Sequence, residues 1–147
     1  MVHGRLGPVL WQLPGWFGLD LERLANALAG LPPGRHAWEF RHPSWFCEPV
    51  YELLREHGCA LAYGDAPQRP FQRHVATADW GFVRFHYGSH GRRGNYSARE
   101  LSQWADRLSA WRRAQELWVY FNNDWSGFAV RNALTLRREL QRRAAGA

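Results

Sequence analysis

The sequence predicts an α/β fold built on a parallel sheet, and three observations carry that expectation. Short apolar segments with a period of two alternate with helical patterns along the chain. Four of the strands share one design, in which one face is apolar throughout and the other turns polar toward the carboxyl end. The turn after the first strand, PGWFG, has neither Rossmann nor phosphate-loop spacing. That weighs against an open nucleotide-binding sheet and leaves a barrel-type arrangement as the competing architecture.

The first strand is expected over Val9–Leu13. A helix follows from Leu21 to about Gly30, with Asp20 as its cap, Leu19 and Leu24 as a hydrophobic staple, and Leu21, Leu24, Ala25 and Leu28 on one stripe. Gly30, Pro32 and Pro33 end it. The second strand is His36–Arg41. The second helix starts near Pro49, a favoured first-turn residue, and stops at Gly58, with Val50, Leu53, Leu54 and His57 inward. Cys59–Asp65 reads as the third strand. Ala66–Trp80 has no strong pattern and reads as loop. Phe82–His86 is the fourth strand. Ser97 and Glu100 form a capping box that opens a helix to about Ala114, with Leu101, Trp104, Ala105, Leu108 and Trp111 on one stripe. Leu117–Asn123 is the fifth strand. A last helix begins near Gly127 and is expected to bury Ala133, Leu136 and Leu140. No repeat or linker divides the chain, so residues 1–147 form one domain.

Composition narrows the function classes. Apolar residues make up 46% of 147, which suits a globular core. The formal charge is +6, from 19 basic and 13 acidic residues. All the basic residues are arginine, a compositional habit rather than a patch. The densest cluster, Arg137, Arg138, Arg142 and Arg143, has the spacing of a solvated helix face. Nucleic acid is therefore not the expected partner. Cys47 and Cys59 match no zinc or redox spacing, no HExxH-type motif is present, and no metal is assigned. The sequence names no cofactor. No apolar run approaches the about 20 residues that span a membrane, and the N-terminus lacks a signal-peptide pattern, so the expected location is the cytoplasm.

The stretch WEFRHPSWF poses the functional question. Trp38 and Phe40 point one way, Glu39 and Arg41 the other, with His42 just beyond. The fourth strand opposes Val83 and Phe85 to Phe82, Arg84 and His86. The fifth opposes Val119 and Phe121 to Trp118, Tyr120 and Asn122; in the first, Leu10 and Gln12 oppose Val9, Trp11 and Leu13. The third is ambiguous by parity but ends in Asp65. Ligands of α/β folds sit at the carboxyl ends of strands. Glu39, with Asp65 or His86 as partner, is the expected general acid/base. Arg41 and Arg84 would anchor an anionic group, with His42, Tyr120, Asn122, Asn123 and Asp124 around the ligand. Simpler roles compete. Glu39–Arg84 and Asp65–Arg41 can be buried ion pairs, His42 can orient its loop, and Asn122, Asn123 and Asp124 can cap the last helix. The loop GSHGRRGNYS can cover an anionic ligand or simply lie at the surface.

At LGPVLWQLP, WEFRHPSWF, NYS, VYFNND and RNAL the chain resembles the YecE-like family, a family of unknown function, from about Leu6 to Leu140. The resemblance implies a variant of the (β/α) barrel. It also implies further βα units upstream, so that this chain holds about five parallel strands of a partial TIM-like barrel whose N-terminal units are absent. It supplies no reaction. The combined expectation is an enzyme, or the remnant of one, acting by acid/base chemistry on a small anionic ligand resembling a sugar or nucleotide phosphate. The alternatives are a non-catalytic binding module for an anionic ligand or RNA, and an inactive fragment. The first and fifth strands would be exposed sheet edges, through which the chain would self-associate.

Overall fold

Local chemistry sets the element boundaries. The computed structural model describes residues 7–65, 72, 74–86, 94–111 and 116–146. In chain order these form β1 (Val9–Gln12), α1 (Leu21–Ala29), β2 (His36–Glu39), α2 (Glu48–Glu56), β3 (Ala60–Leu61), β4 (Tyr63–Asp65), β5 (Trp80–Phe85), α3 (Ala98–Ser109), β6 (Glu116–Phe121) and α4 (Phe128–Ala145). Asp20 accepts the Arg23 N–H at 2.9 Å and opens α1. Ser97 and Glu100 make the reciprocal capping box of α3. A 3-10 turn at Trp125–Gly127 leads into α4 through two left-handed residues, Ser126 (φ 54°) and Gly127 (φ 68°), of which glycine pays no Cβ penalty.

All strand pairs are parallel. β1–β2–β3 form one sheet and β4–β5–β6 another. The expected third strand is split at Ala62, whose N–H donates to the Trp38 carbonyl at 2.9 Å, so this one segment serves both sheets. The sheets do not close, and β1 and β6 are the outermost strands.

The two faces divide as the period of two requires. Trp38, Phe40 and Leu61 pack with Trp45 against Leu24 and Leu28 of α1 and Val50 and Leu54 of α2. Val83 and Phe85, with Val119 and Phe121 beside them, pack under Leu101, Trp104 and Leu108 of α3 and Leu136 of α4. The opposite face carries a separate cluster of Ala37, Ala60, Ala62, Trp80 and Phe82, joined by Leu10 and Trp118. A Cβ on Gly7 would lie 3.2 Å from the Trp118 ring, and Arg35 pairs with Glu116 at 2.6 Å. The last strand thus reaches the segments that enter β1 and β2. On the helix face Gly81 admits a close approach: a Cβ there would meet Leu117 and Trp111 side chains at 2.6 Å.

Two helix faces differ from expectation. In α4 the buried residues are Ala129, Asn132 and Leu136, whereas Ala133 is exposed and Leu140 half-buried. The stripe i, i+3, i+7 centres on Asn132, because that amide is spent on hydrogen bonds described below. In α2, Tyr51 takes the inner place given to His57, which is exposed with its ring Nδ1 2.9 Å from the Leu53 carbonyl.

Trp45 anchors the first half. It is 1% exposed, stacks on Phe40 at 4.8 Å, and donates its indole N–H to the Phe17 carbonyl at 2.8 Å. Trp45→Ala should cost about 3–5 kcal/mol in denaturant melts. Ser97→Ala should cost about 1 kcal/mol in the same assay, through loss of the cap alone.

Candidate functional site

Parallel pairing brings the carboxyl ends of the strands to one rim. Register places Gln12 beside Glu39, and Gly64 and Tyr120 on either side of Arg84. Glu39 is 1% exposed, yet it is held by two guanidinium groups. Arg41 Nε donates to its Oε1 at 3.0 Å and Arg84 Nη1 donates to its Oε2. Gln12 Oε1 accepts from both arginines, by a short bond from Arg41 Nη2 and at 3.3 Å from Arg84 Nη1. Tyr120 stacks on Phe82 at 4.9 Å and remains 39% exposed beside Arg84.

Burial alone would raise the pKa of Glu39. The charge of Arg84 and the hydrogen bonds from Arg84 and Arg41 outweigh it, and the carboxyl is held below its ordinary value. Glu39 is therefore a carboxylate at neutral pH. Two guanidiniums against one carboxylate leave one positive charge in surplus. The arginine side chains reach water, at 28% exposure for Arg41 and 16% for Arg84. This arrangement can receive an anion. Among the described residues no three His, Cys, Asp or Glu side chains gather as a metal site.

A profile described as "Protein of unknown function DUF72" matches residues 1–147. This chain belongs to the DUF72 family. The YecE-like resemblance is to this same family. A solved DUF72 protein of Thermotoga maritima is 33% identical, with a TM-score of 0.81 over 93% of this chain and 58% of that one. A DUF72 structure from Enterococcus faecalis, 22% identical over 94% of this chain and 60% of its own, matches in fold with a TM-score of 0.81. The UPF0759 protein YunF of Bacillus subtilis is 26% identical over 161 residues, 87% of this chain and 55% of YunF. The chain thus spans somewhat more than half the length of these relatives. The mixed α/β fold with parallel strands is the fold of the DUF72 structures.

Of the residues expected at the site, Glu39, Arg41 and Arg84 come together, and Tyr120 lies next to them in register. His86 follows β5 two residues beyond Arg84 and is half-buried. Asn122 is exposed, and its backbone N–H donates to the Phe85 carbonyl at 2.7 Å, prolonging the β5–β6 pairing. Asp124 is exposed and caps nothing with its side chain.

Three of the expected residues are engaged elsewhere. Asp65 pairs in register with Phe85, whose ring faces the helices, so the carboxyl lies on the face away from Glu39. Burial raises its pKa, against a hydrogen bond from Tyr96 and with help from the charge of Glu100. His42 turns to its own loop: its Nδ1 accepts the Ser44 N–H at 3.3 Å and meets Ser44 Oγ at 2.8 Å, and that hydroxyl accepts the Leu19 N–H at 2.8 Å. Asn123 is 1% exposed and structural. Its amide donates to the Gly94 carbonyl at 3.1 Å and to Asn132 Oδ1 at 2.8 Å, while Asn132 donates to Asn95 Oδ1 at 2.8 Å. Most of the basic loop, including Arg92 and Arg93, lies outside the described residues. Gln12 is the member that residue chemistry alone passed over. Its parity with Leu10, opposite Trp11, is the signal that places it on the inner face.

Glu39 and Asp65 should tilt the pH–stability profile in opposite directions. Glu39, lowered on folding, stabilises above the unfolded carboxylate value of about 4.3, and this is lost as pH falls through its folded value. Asp65, raised on folding, costs stability as pH rises from about 3.9 through its folded value. At pH 7, Glu39→Gln should lose on the order of 2–3 kcal/mol, below the full cost of breaking a buried pair because both arginines keep some water. Asp65→Asn should gain stability at pH 7. Thermal melts from pH 3 to 8 should show each difference shrinking toward acid.

Proposed function

We propose that Gln12, Glu39, Arg41 and Arg84 form the anion-recognising head of a ligand site at the carboxyl ends of the strands. The ligand is a small molecule carrying a phosphate or carboxylate, of the sugar- or nucleotide-phosphate kind. The observation that carries this reading is the paired guanidinium groups around one buried carboxylate, with one positive charge uncompensated and open to water. Tyr120 supplies an exposed ring beside Arg84 on which the ring of such a ligand would stack. In the fuller reading the site belongs to an enzyme. Glu39, fixed as a carboxylate, then positions the arginines, and proton transfer falls to His86, the imidazole two residues beyond Arg84.

The same reading takes the curled parallel sheet as an arc of a TIM-like (β/α) barrel. Two features support it: an inner apolar layer of Leu10, Ala37, Ala60, Phe82 and Trp118, and a polar layer of Gln12, Glu39 and Arg84 above it at the carboxyl rim. The outermost strands bear exposed apolar side chains, Val9 and Trp11 on β1 and Tyr120 on β6, which supports self-association through those edges.

The test is a thermal-shift comparison of glucose 6-phosphate and adenosine monophosphate with glucose and adenosine, at matched ionic strength. The phosphorylated compounds should raise the melting temperature and the neutral ones should not. Arg84→Met should abolish the response, and pairing it with Glu39→Gln should recover lost stability without recovering the response. Equal shifts in wild type and Arg84→Met would sink the proposal.

A further inference from the structure

We infer that the Gln12 carboxamide oxygen holds the place of a ligand oxygen between Arg41 and Arg84, and that an anionic group binds by displacing it. The inference rests on the anion-site reading above and names the side chain that sets its selectivity. Oε1 of Gln12 is a neutral acceptor and accepts from both guanidiniums at once. A position between two cations favours a full negative charge over an amide dipole, and charge-assisted bonds are about twice as strong as neutral ones. The hold on the amide is uneven. Arg84 Nη1 divides itself between Glu39 and Gln12, and its bond to Gln12 is 3.3 Å long.

Gln12 is also able to leave. It sits on β1, an outermost strand, its side chain is exposed, and its backbone stays paired in register with Glu39 whichever way the amide points. Glu39 cannot leave in the same way, because it is buried and carries the charge that keeps both arginines in place. The cluster therefore has a fixed anion and an exchangeable neutral acceptor. A phosphate ester or a carboxylate would set one oxygen where Gln12 Oε1 now lies and use the remaining guanidinium N–H groups for the others.

The substitution series follows from charge. Gln12→Glu supplies the displaced oxygen permanently and cancels the surplus positive charge. Gln12→Ala removes the competitor and leaves both arginines. Binding of methyl phosphate and of acetate to the 147-residue chain would be measured by calorimetry at constant ionic strength, beside ligand-free melts. Gln12→Glu should raise the ligand-free melting temperature and weaken binding by about tenfold or more, equivalent to about 1.4 kcal/mol. Gln12→Ala should bind as tightly as wild type or tighter. A larger response to methyl phosphate than to acetate would assign a phosphate ester, and the reverse a carboxylate. If Gln12→Ala binds less tightly than wild type by roughly threefold or more, Gln12 is a ligand contact and not a placeholder, and this inference falls while the anion site stands. Undiminished binding by Gln12→Glu overturns it equally. If wild type binds neither probe, both the inference and the anion-site reading fall.

Discussion

The burial of Glu39 is the constraint on which the rim of the sheet depends. A carboxylate at 1% exposure is costly unless its charge is answered and its oxygens receive hydrogen bonds. Arg41 and Arg84 do both, one on each oxygen. Arg84 comes from β5 and Gln12, which accepts from both arginines, from β1, so the bonds of this cluster tie three strands at one level. They also fix register. A slip of one residue in β2 would turn Glu39 into the aromatic layer of Trp38, Phe40 and Trp45 and bring an aromatic ring to the arginines. The polar layer and the aromatic layer thus specify each other.

A second polar cluster works differently. Asn123, Asn132, Asn95 and the Tyr96 backbone form an amide network on the helix side, buried at Asn123 and Asn132, that binds α4 to the segment that enters α3. It carries no net charge. Asn132 uses its oxygen as acceptor from Asn123 and from the Tyr96 N–H, and its NH2 as donor to Asn95 Oδ1 and the Tyr96 carbonyl, so its hydrogen-bonding capacity is filled within the protein. The contrast with the rim is chemical: one cluster is neutral and centred on the fully bonded Asn132, the other charged and open to water.

How much of this was legible varied with the range of the interaction. Capping at Asp20 and Ser97–Glu100 depends on residues three apart, and the structure follows the sequence there. The division of Trp38, Phe40, Val83 and Phe85 from Glu39 and Arg84 depends only on the period of two, and it too was readable. Asp65 was misread although its signal was present. Ala60, Ala62 and Gly64 alternate with Cys59, Leu61 and Tyr63; the small residues face inward, which puts Asp65 with the large ones. Asn123 and His42 were not decidable locally. Their partners are set by tertiary contact in one case, with Asn132 on α4, and by competition between a loop hydroxyl and a ligand in the other. Gln12 was missed because an uncharged side chain on a strand draws attention only once its cross-strand neighbour is known to be charged.

The electrostatics also constrain any chemistry at the rim. A general acid must hold a proton near the working pH and release it in the reaction. Glu39 is driven the other way, since two guanidiniums stabilise its ionised form more than burial destabilises it. Asp65 is raised by burial, but it faces the helices and is out of reach of the arginine pair. The two carboxyl groups first expected to act together are thus separated both by acidity and by the sheet itself. What remains on the Glu39 side is a cationic pair with a fixed counter-charge, which is suited to holding an anion. Any proton transfer there has to come from a group that titrates closer to neutrality than Glu39.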